Sequence, residues 1–213
     1  MVLLPAAVVP MGALGTMSQA VAQASDPDQR LFRQALIDYQ AGKFQAAADA
    51  LEQLVQSDNP KLYDMRILLG GSYFELKQYA QAQAQFLQAT KLQPKSAIAW
   101  SVLGSSYNRL KQYEDAVKAF SQSLKLDENN ADTHRGLGVA YYNMAQYEQA
   151  AIYYKRYTVL LPKGAIGYAY LGDAYRRNGQ FDDAIAAYKQ ALKLDPNNRL
   201  AIAGLSRAQA QER

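Results

Sequence analysis

Cysteine is absent from the 213-residue chain, and histidine occurs only once. Without cysteine the chain can form no disulfide, no thiolate nucleophile, no cysteine-ligated zinc site and no lipid-modified cysteine. A single histidine leaves little for histidine-based catalysis or for a metal site. Charge is nearly balanced, with 23 Lys and Arg against 19 Asp and Glu. This small excess does not indicate nucleic-acid binding, which needs clustered basic charge.

Apolar residues are present in sufficient number for a substantial core. They make up 49% of the chain, whereas charged residues make up 20%, so neither a disordered protein nor a coiled-coil rod is indicated. The length fits one ordinary domain or a short repeat array. The 16 tyrosines are unusually many for this length and need a structural explanation.

The N-terminal segment differs from the rest in composition. Residues 1–24 carry no charge, and the apolar stretch 2–14 has the length of a signal-peptide core. It is shorter than the about 20 apolar residues that span a bilayer. Two overlapping A-x-A sites follow, at 20–22 and 22–24. We therefore expect a signal peptide over residues 1–24, and a periplasmic or secreted mature protein with no stable membrane span.

One feature of a signal peptide is missing, because no Lys or Arg precedes the apolar run. A start codon placed too far downstream would explain this. An unstructured tail on a cytoplasmic protein is the alternative.

A period of 34 residues organises the rest of the chain. A Leu-Gly pair recurs four times at this interval, and a tyrosine follows each glycine by three residues. The leucines are Leu69, Leu103, Leu137 and Leu171, and the tyrosines are Tyr73, Tyr107, Tyr141 and Tyr175. Two further columns hold small and aromatic residues, namely Ala82, Ala116, Ala150 and Ala184, then Phe86, Phe120, Tyr154 and Tyr188. So many columns in step indicate a repeat protein.

Each 34-residue unit has the pattern of two amphipathic helices. Apolar residues at positions 4, 7, 8 and 11 of the unit share one helical face, and those at 17, 20, 24 and 27 share another. Glycine at position 8 and alanine at position 20 allow two antiparallel helices to approach closely, so that aromatic residues fill the flanking space. Asn-Asn pairs at 129–130 and 197–198 offer caps to the helices that follow.

This pattern resembles the tetratricopeptide repeat (TPR) family, whose signature is W-x2-L-G-x2-Y…Y-x2-A-x3-F…P. The best copy consists of Trp100, Leu103, Gly104, Tyr107, Ala116 and Phe120. The resemblance implies an all-α, right-handed solenoid of helix-turn-helix units. The expected solenoid covers residues 25–198, with units at 28–61, 63–96, 97–130, 131–164 and 165–198, and a capping helix follows at 199–213. The first unit is weaker, because Asp38 stands where tyrosine is expected.

No catalytic constellation emerges from the remaining motifs. His134 occupies the packing slot held by Trp100 and Tyr168 in other units. The Gly136-Leu137-Gly138 run lies between helical flanks without a preceding strand, so it is not a phosphate-binding loop. We expect no cofactor, no metal and no enzymatic activity.

The resemblance implies that a protein or peptide partner binds a concave surface lined by the first helices. The face not used for packing contains positions 2, 5, 9, 12 and 13, and burial by a neighbouring helix is the alternative for each residue. The candidate residues are Phe32, Leu36, Tyr39, Ile67, Phe74, Asn108, Arg109, Arg135, Tyr142, Asn143, Asp173, Arg176 and Arg177. They are apolar in the first two units and polar, with arginines, in the last three. We expect binding to be divided between an apolar and a cationic end.

Some TPR domains grip a C-terminal carboxylate with Lys and Asn in their first unit. Here the equivalent positions are Phe32 and Leu36, so that clamp is absent. An exported adaptor or assembly factor for a bacterial envelope complex is our first interpretation. A solenoid that forms a homodimer through its apolar first unit, or a cytosolic TPR scaffold, is the alternative.

N-terminal sequencing of the native protein tests the export hypothesis. We expect the mature chain to begin at Ser25 or Gln23, because signal peptidase requires small residues before the cut. An intact Met1 on a cytosolic protein would contradict export.

Overall fold

The computed structural model describes residues 27–56 and 62–211, so the predicted signal peptide lies outside the described residues. The described part forms eleven α-helices and no strand. The helices are α1 Pro27–Gln40, α2 Phe44–Leu54, α3 Leu62–Glu75, α4 Tyr79–Leu92, α5 Ala97–Arg109, α6 Tyr113–Leu126, α7 Ala131–Asn143, α8 Tyr147–Leu160, α9 Ala165–Arg177, α10 Phe181–Leu194 and α11 Arg199–Gln211. Among these, no helix is long and apolar enough to cross a bilayer.

The helices fall into two compact parts that divide between Lys111 and Gln112. We call these parts the first and second units, and we call each 34-residue helix pair a repeat. The first unit contains α1 to α5 and the second contains α6 to α11. Within each unit every helix packs against the next one along the chain. The predicted all-α architecture of consecutive helix pairs is therefore confirmed.

Glycine and an aromatic ring meet where the two helices of a pair come closest. A Cβ atom placed on Gly138 of α7 would lie 2.5 Å from a ring carbon of Tyr154 in α8. The same contact joins Gly70 to Phe86 and Gly172 to Tyr188. Because no side chain fits between backbone and ring, glycine at position 8 is a steric requirement of the pair.

The same rings also pack against the helix that follows. In the second unit, Phe120 of α6 contacts Gly136 of α7, and Tyr188 of α10 contacts Gly204 of α11. Tyr188 is fully buried between two glycines, one in α9 and one in α11. The aromatic residue at position 24 thus connects its own repeat to the next.

Each first helix ends in the same tight turn. The residue at position 15 has a positive φ in every repeat, between 59° at Ala145 and 79° at Gly179. In the turn after α7, the backbone N–H of Gln146 donates to the carbonyl of Tyr141 at 2.9 Å. Such a left-handed residue closes a helix by satisfying its last carbonyl groups.

Side chains at position 4 tie two of the first helices, α5 and α7, to the segments before them. The indole N–H of Trp100 donates to the carbonyl of Pro94 at 2.9 Å, and His134 Nε2 lies 2.8 Å from the carbonyl oxygen of Glu128. His134 is buried beside the ring of Tyr153. Its contacts are those of a packing residue.

The predicted asparagine caps are confirmed at two helix starts. Asn130 Oδ1 accepts a hydrogen bond from the backbone N–H of Thr133 at 2.9 Å, and Asn198 Oδ1 accepts one from Ala201 at 3.0 Å. The second cap starts α11, which packs on α10 and α9.

We expect Gly138→Leu to lower the free energy of unfolding by about 3 kcal/mol, because the new side chain must displace the Tyr154 ring. Urea denaturation followed by circular dichroism measures the change. Ala186→Leu, on the exposed side of α10, is the matched control and should leave the midpoint nearly unchanged. Equal midpoints for Gly138→Leu and the wild-type chain would contradict the glycine–ring contact.

Candidate partner-binding face

The apolar candidates predicted from the sequence lie in the interior of the first unit. Phe32, Leu36, Tyr39, Ile67 and Phe74 are each at most 4% exposed. Burial leaves these side chains almost no surface for a partner. A direct binding role for them remains a prediction.

Aromatic residues at position 12 have a structural partner that the sequence analysis missed. Each packs edge-to-face on the aromatic residue at position 17 of the same repeat, with ring centroids 5.2 to 5.4 Å apart. The pairs are Tyr39–Phe44, Phe74–Tyr79 and Tyr142–Tyr147. Pairs of this geometry contribute about 0.5–1.5 kcal/mol beyond their buried area. The signal in the sequence is an aromatic pair five residues apart across the turn.

A cationic group covers one of these pairs in the first unit. The guanidinium carbon of Arg109 lies 5.7 Å from the ring centroid of Phe74 and 4.7 Å from that of Tyr79. Arg109 also donates a hydrogen bond to the Tyr79 hydroxyl. Burial raises the pKa of the neighbouring Glu75 carboxyl, and the positive charge of Arg109 acts against this rise. Arg109 is therefore held by its own unit.

A hydrogen-bond network centred on Asp173 joins three helices of the second unit. Asp173, in α9, accepts a hydrogen bond from the hydroxyl of Tyr142 in α7 and one at 3.3 Å from the hydroxyl of Tyr188 in α10. Arg176 donates a third at 2.6 Å and forms an ion pair with the same carboxylate. The side chains of Asp173 and Arg176 are only 12% and 9% exposed, so this is a buried ion pair.

The network shifts the protonation equilibria of its members. Burial acts to raise the pKa of the Asp173 carboxyl, but hydrogen bonds from Tyr142 and Arg176 outweigh burial and hold this pKa below its usual value. Burial, together with the hydrogen bond to Asp173, raises the pKa of Tyr142 to about 12. At neutral pH the network therefore contains an ionised aspartate and a neutral tyrosine.

The arginines predicted to form a cationic end differ in how they are engaged. Arg135 pairs with Asp132 at 3.1 Å, and Arg176 pairs with Asp173. Arg177 is exposed, and the neighbouring Tyr142 raises the pKa of its guanidinium. Local aspartates thus pair with two of the four predicted arginines.

The amide candidates also differ in accessibility. Asn143 is exposed at the end of α7, and its amide N–H donates to the carbonyl of Val139 at 2.8 Å. Asn108, in the first unit, is buried. Within residues 27–56 and 62–211, no group of three or more His, Asp or Glu side chains is placed to hold a metal ion.

Comparison with family models gives three matches. A model described as "Tetratricopeptide repeat" matches residues 38–105, one described as "TPR repeat" matches 104–144, and another described as "Tetratricopeptide repeat" matches 165–198. The last match covers the same residues as the final repeat predicted from the sequence. No curated protein sequence matches the chain.

Solved structures similar to this chain share its fold. A crystal structure of MamA has a TM-score of 0.70 at 23% identity, covering 82% of this chain and 97% of that one. TTC0263, a thermophilic TPR protein of Thermus thermophilus, has a TM-score of 0.65 at 19% identity, covering 86% and 99%. YrrB, described as a TPR protein with an unusual peptide-binding site, has a TM-score of 0.71 at 16% identity, covering 91% and 99%.

We expect Asp173→Asn to lower the free energy of unfolding by about 3 kcal/mol, because it leaves the buried Arg176 without a counter-charge. Asp132→Asn breaks an ion pair whose carboxylate is exposed, and it should lower the free energy of unfolding by less than about 1 kcal/mol. Urea denaturation at a series of pH values measures both.

The pH dependence gives a further check on this network. Because the pKa of Asp173 is lowered on folding, its contribution is complete above its unfolded pKa of about 4 and is lost as the pH falls through the folded pKa. The difference between wild type and Asp173→Asn should therefore shrink only below about pH 4. A constant difference down to about pH 2 would contradict the charge-based account.

Proposed function

Because the chain belongs to the tetratricopeptide-repeat family, we propose that it is a protein-interaction module whose first helices bind a peptide or protein segment. Arg177 at the end of α9 is the observation that carries this proposal. It is exposed beside Tyr142, whose hydroxyl is fixed by a hydrogen bond to Asp173. An exposed arginine beside a fixed polar side chain can form charge-assisted hydrogen bonds with a carboxylate of a partner.

The proposed contact residues are Arg177, Tyr142 and Asn143, which belong to α7 and α9 of the second unit. Arginine offers a planar pair of donors that suits a carboxylate of the partner. Asn143 is exposed, and its amide oxygen can accept a hydrogen bond from a peptide N–H. Asp173 and Arg176 act as supports, because their charges already satisfy each other. Asn108, Arg109 and Arg135 are the further polar candidates, and the buried apolar set supports the first unit from within.

We further propose that the module is exported and serves as an adaptor or assembly factor in an envelope. The uncharged segment 1–24, with its apolar stretch at 2–14, and the absence of cysteine support this placement, since free thiols are a liability in an oxidising compartment. A peptide partner is supported by the peptide-binding site stated for the structurally similar YrrB.

Selection of peptides against the chain tests the proposed contact residues. A displayed library of random peptides, each of about 16 residues, supplies the ligands, and surface-based kinetics at two salt concentrations measures their binding. We expect Arg177→Glu to weaken binding of the selected peptides about tenfold. The loss should arise mainly from a slower association rate and should be larger at low salt. Arg207→Glu, an exposed arginine on α11, is the matched control and should change affinity little.

Unchanged affinity in both Arg177→Glu and Tyr142→Ala, with the fold intact, would place the site elsewhere. Light scattering over a range of concentrations separates the alternative function. A concentration-dependent dimer with no selected peptide would favour the self-associating solenoid.

A further inference from the structure

The outward side of α8 differs from the equivalent sides of its neighbours in the second unit. Because of the 34-residue period, positions 22, 29 and 31 of one repeat are equivalent to the same positions of every other repeat. They hold Lys118, Lys125 and Asp127 at α6, then Ala186, Lys193 and Asp195 at α10, but Ile152, Val159 and Leu161 at α8. Ile152 is 59% exposed, Val159 60% and Leu161 46%. Aliphatic side chains thus replace lysine and aspartate on one solvent-facing surface.

Leu161 gives up a local hydrogen bond that the neighbouring repeats retain. The carboxylate of Asp127 accepts from the backbone N–H of Asn129 at 3.1 Å, and that of Asp195 accepts from Asn197 at 3.1 Å. A leucine has no oxygen that could do the same. An exposed apolar side chain that replaces a turn-stabilising one needs another reason, and local rules are broken most often at functional sites.

The apolar residues of α8 form a narrow line with cations on both sides. Ile152 and Val159 are seven residues apart, which places them on one side of the helix about 10 Å apart along its axis. Lys155 and Arg156 are both exposed and lie roughly 50° to either side of this line. We call this surface, formed by Ile152, Lys155, Arg156, Val159 and Leu161, the α8 seam.

A groove beside the α8 seam adds room for a side chain of a partner. It has a volume of about 300 Å³, and Glu148, Ala151, Ile152 and Lys155 form one wall. Tyr175, Asn178 and Gln180, at the end of α9 and in the turn after it, form the other. The groove lies within the second unit.

We propose that the α8 seam is a second docking surface, which binds an amphipathic helix of a partner protein whose apolar ridge is flanked by Asp and Glu. The charge pattern selects this occupant, because acidic residues beside the ridge would meet Lys155 and Arg156. A bilayer is a poorer match, since an interfacial helix presents an apolar face far wider than one residue. A second copy of the same seam would oppose like charges. This surface is separate from the contact residues proposed on α7 and α9.

A pair of designed peptides tests the α8 seam on the full chain. The acidic peptide is a stapled helix of about 21 residues, with leucine at every third or fourth position and glutamate on both flanks of the leucines. The cationic peptide carries lysine in place of each glutamate. Fluorescence anisotropy of the labelled peptides measures the dissociation constants. We expect the chain to bind the acidic peptide, and to bind it at least about tenfold more tightly than the cationic one.

The double variant Ile152→Ala with Val159→Ala removes the apolar line without adding charge, and it should weaken binding of the acidic peptide at least about tenfold. It is expected to fold normally, because Lys118 and Lys125 occupy the equivalent positions of α6, so that no apolar side chain is needed there. Ile152→Gln with Val159→Gln is a second test, which replaces the apolar line by uncharged polar side chains. Ala186→Lys on α10 is the matched control. It should leave binding unchanged, as should Arg177→Glu, which separates this surface from the proposed peptide site.

Several outcomes would overturn the proposal. These are no binding of the acidic peptide by the wild-type chain, equal binding of the cationic peptide, and unchanged binding in both double variants. Vesicles containing about 30% phosphatidylserine provide the remaining probe. If they bind the wild-type chain but not the double alanine variant, while the acidic peptide does not bind, the seam is a lipid surface instead.

Discussion

The contact between a glycine backbone and an aromatic ring is the constraint on which each repeat depends. In the last repeat the ring of Tyr188 lies between Gly172 and Gly204, and its hydroxyl reaches Asp173. The contact that sets the spacing of α9, α10 and α11 therefore also delivers a hydrogen bond to the candidate site. Packing and function are linked here through a single side chain, and tyrosine rather than phenylalanine at position 24 makes this possible.

Most of the fold could be predicted from the sequence, because the residues that pack the repeats recur at a fixed interval. The glycine at position 8 and the asparagine caps at Asn130 and Asn198 were read from single columns. The partners of the polar candidates could not be read in this way. Asp173 accepts hydrogen bonds from residues 31 positions before it and 15 after it, and no other repeat has an acidic residue at the position of Asp173. Such a network depends on three-dimensional proximity and leaves no periodic signal.

Charge pairing within each unit changes what the arginines can contribute to binding. Arg135 and Arg176 are matched by aspartates three residues before them, and Arg109 lies over two aromatic rings. Pairs of this kind order their side chains, but they leave little net charge to attract a partner over a distance. Long-range attraction by the first helices of the second unit then rests mainly on the exposed Arg177, whereas the paired arginines contribute hydrogen bonds formed at contact.

Differences between repeats are informative because stacking constrains only part of each repeat. A second helix must keep its small and aromatic residues inward, whereas its outward residues need only remain compatible with water. Lysine at position 29 of α6 and α10 presents a charged group to water, whereas valine at position 29 of α8 exposes apolar surface. Exposing Val159 and Ile152 brings no packing benefit within the second unit, since more than half of each side chain faces solvent. Their apolar surface therefore has its physical use in contact with another molecule, just as the buried glycines have theirs in contact with the rings.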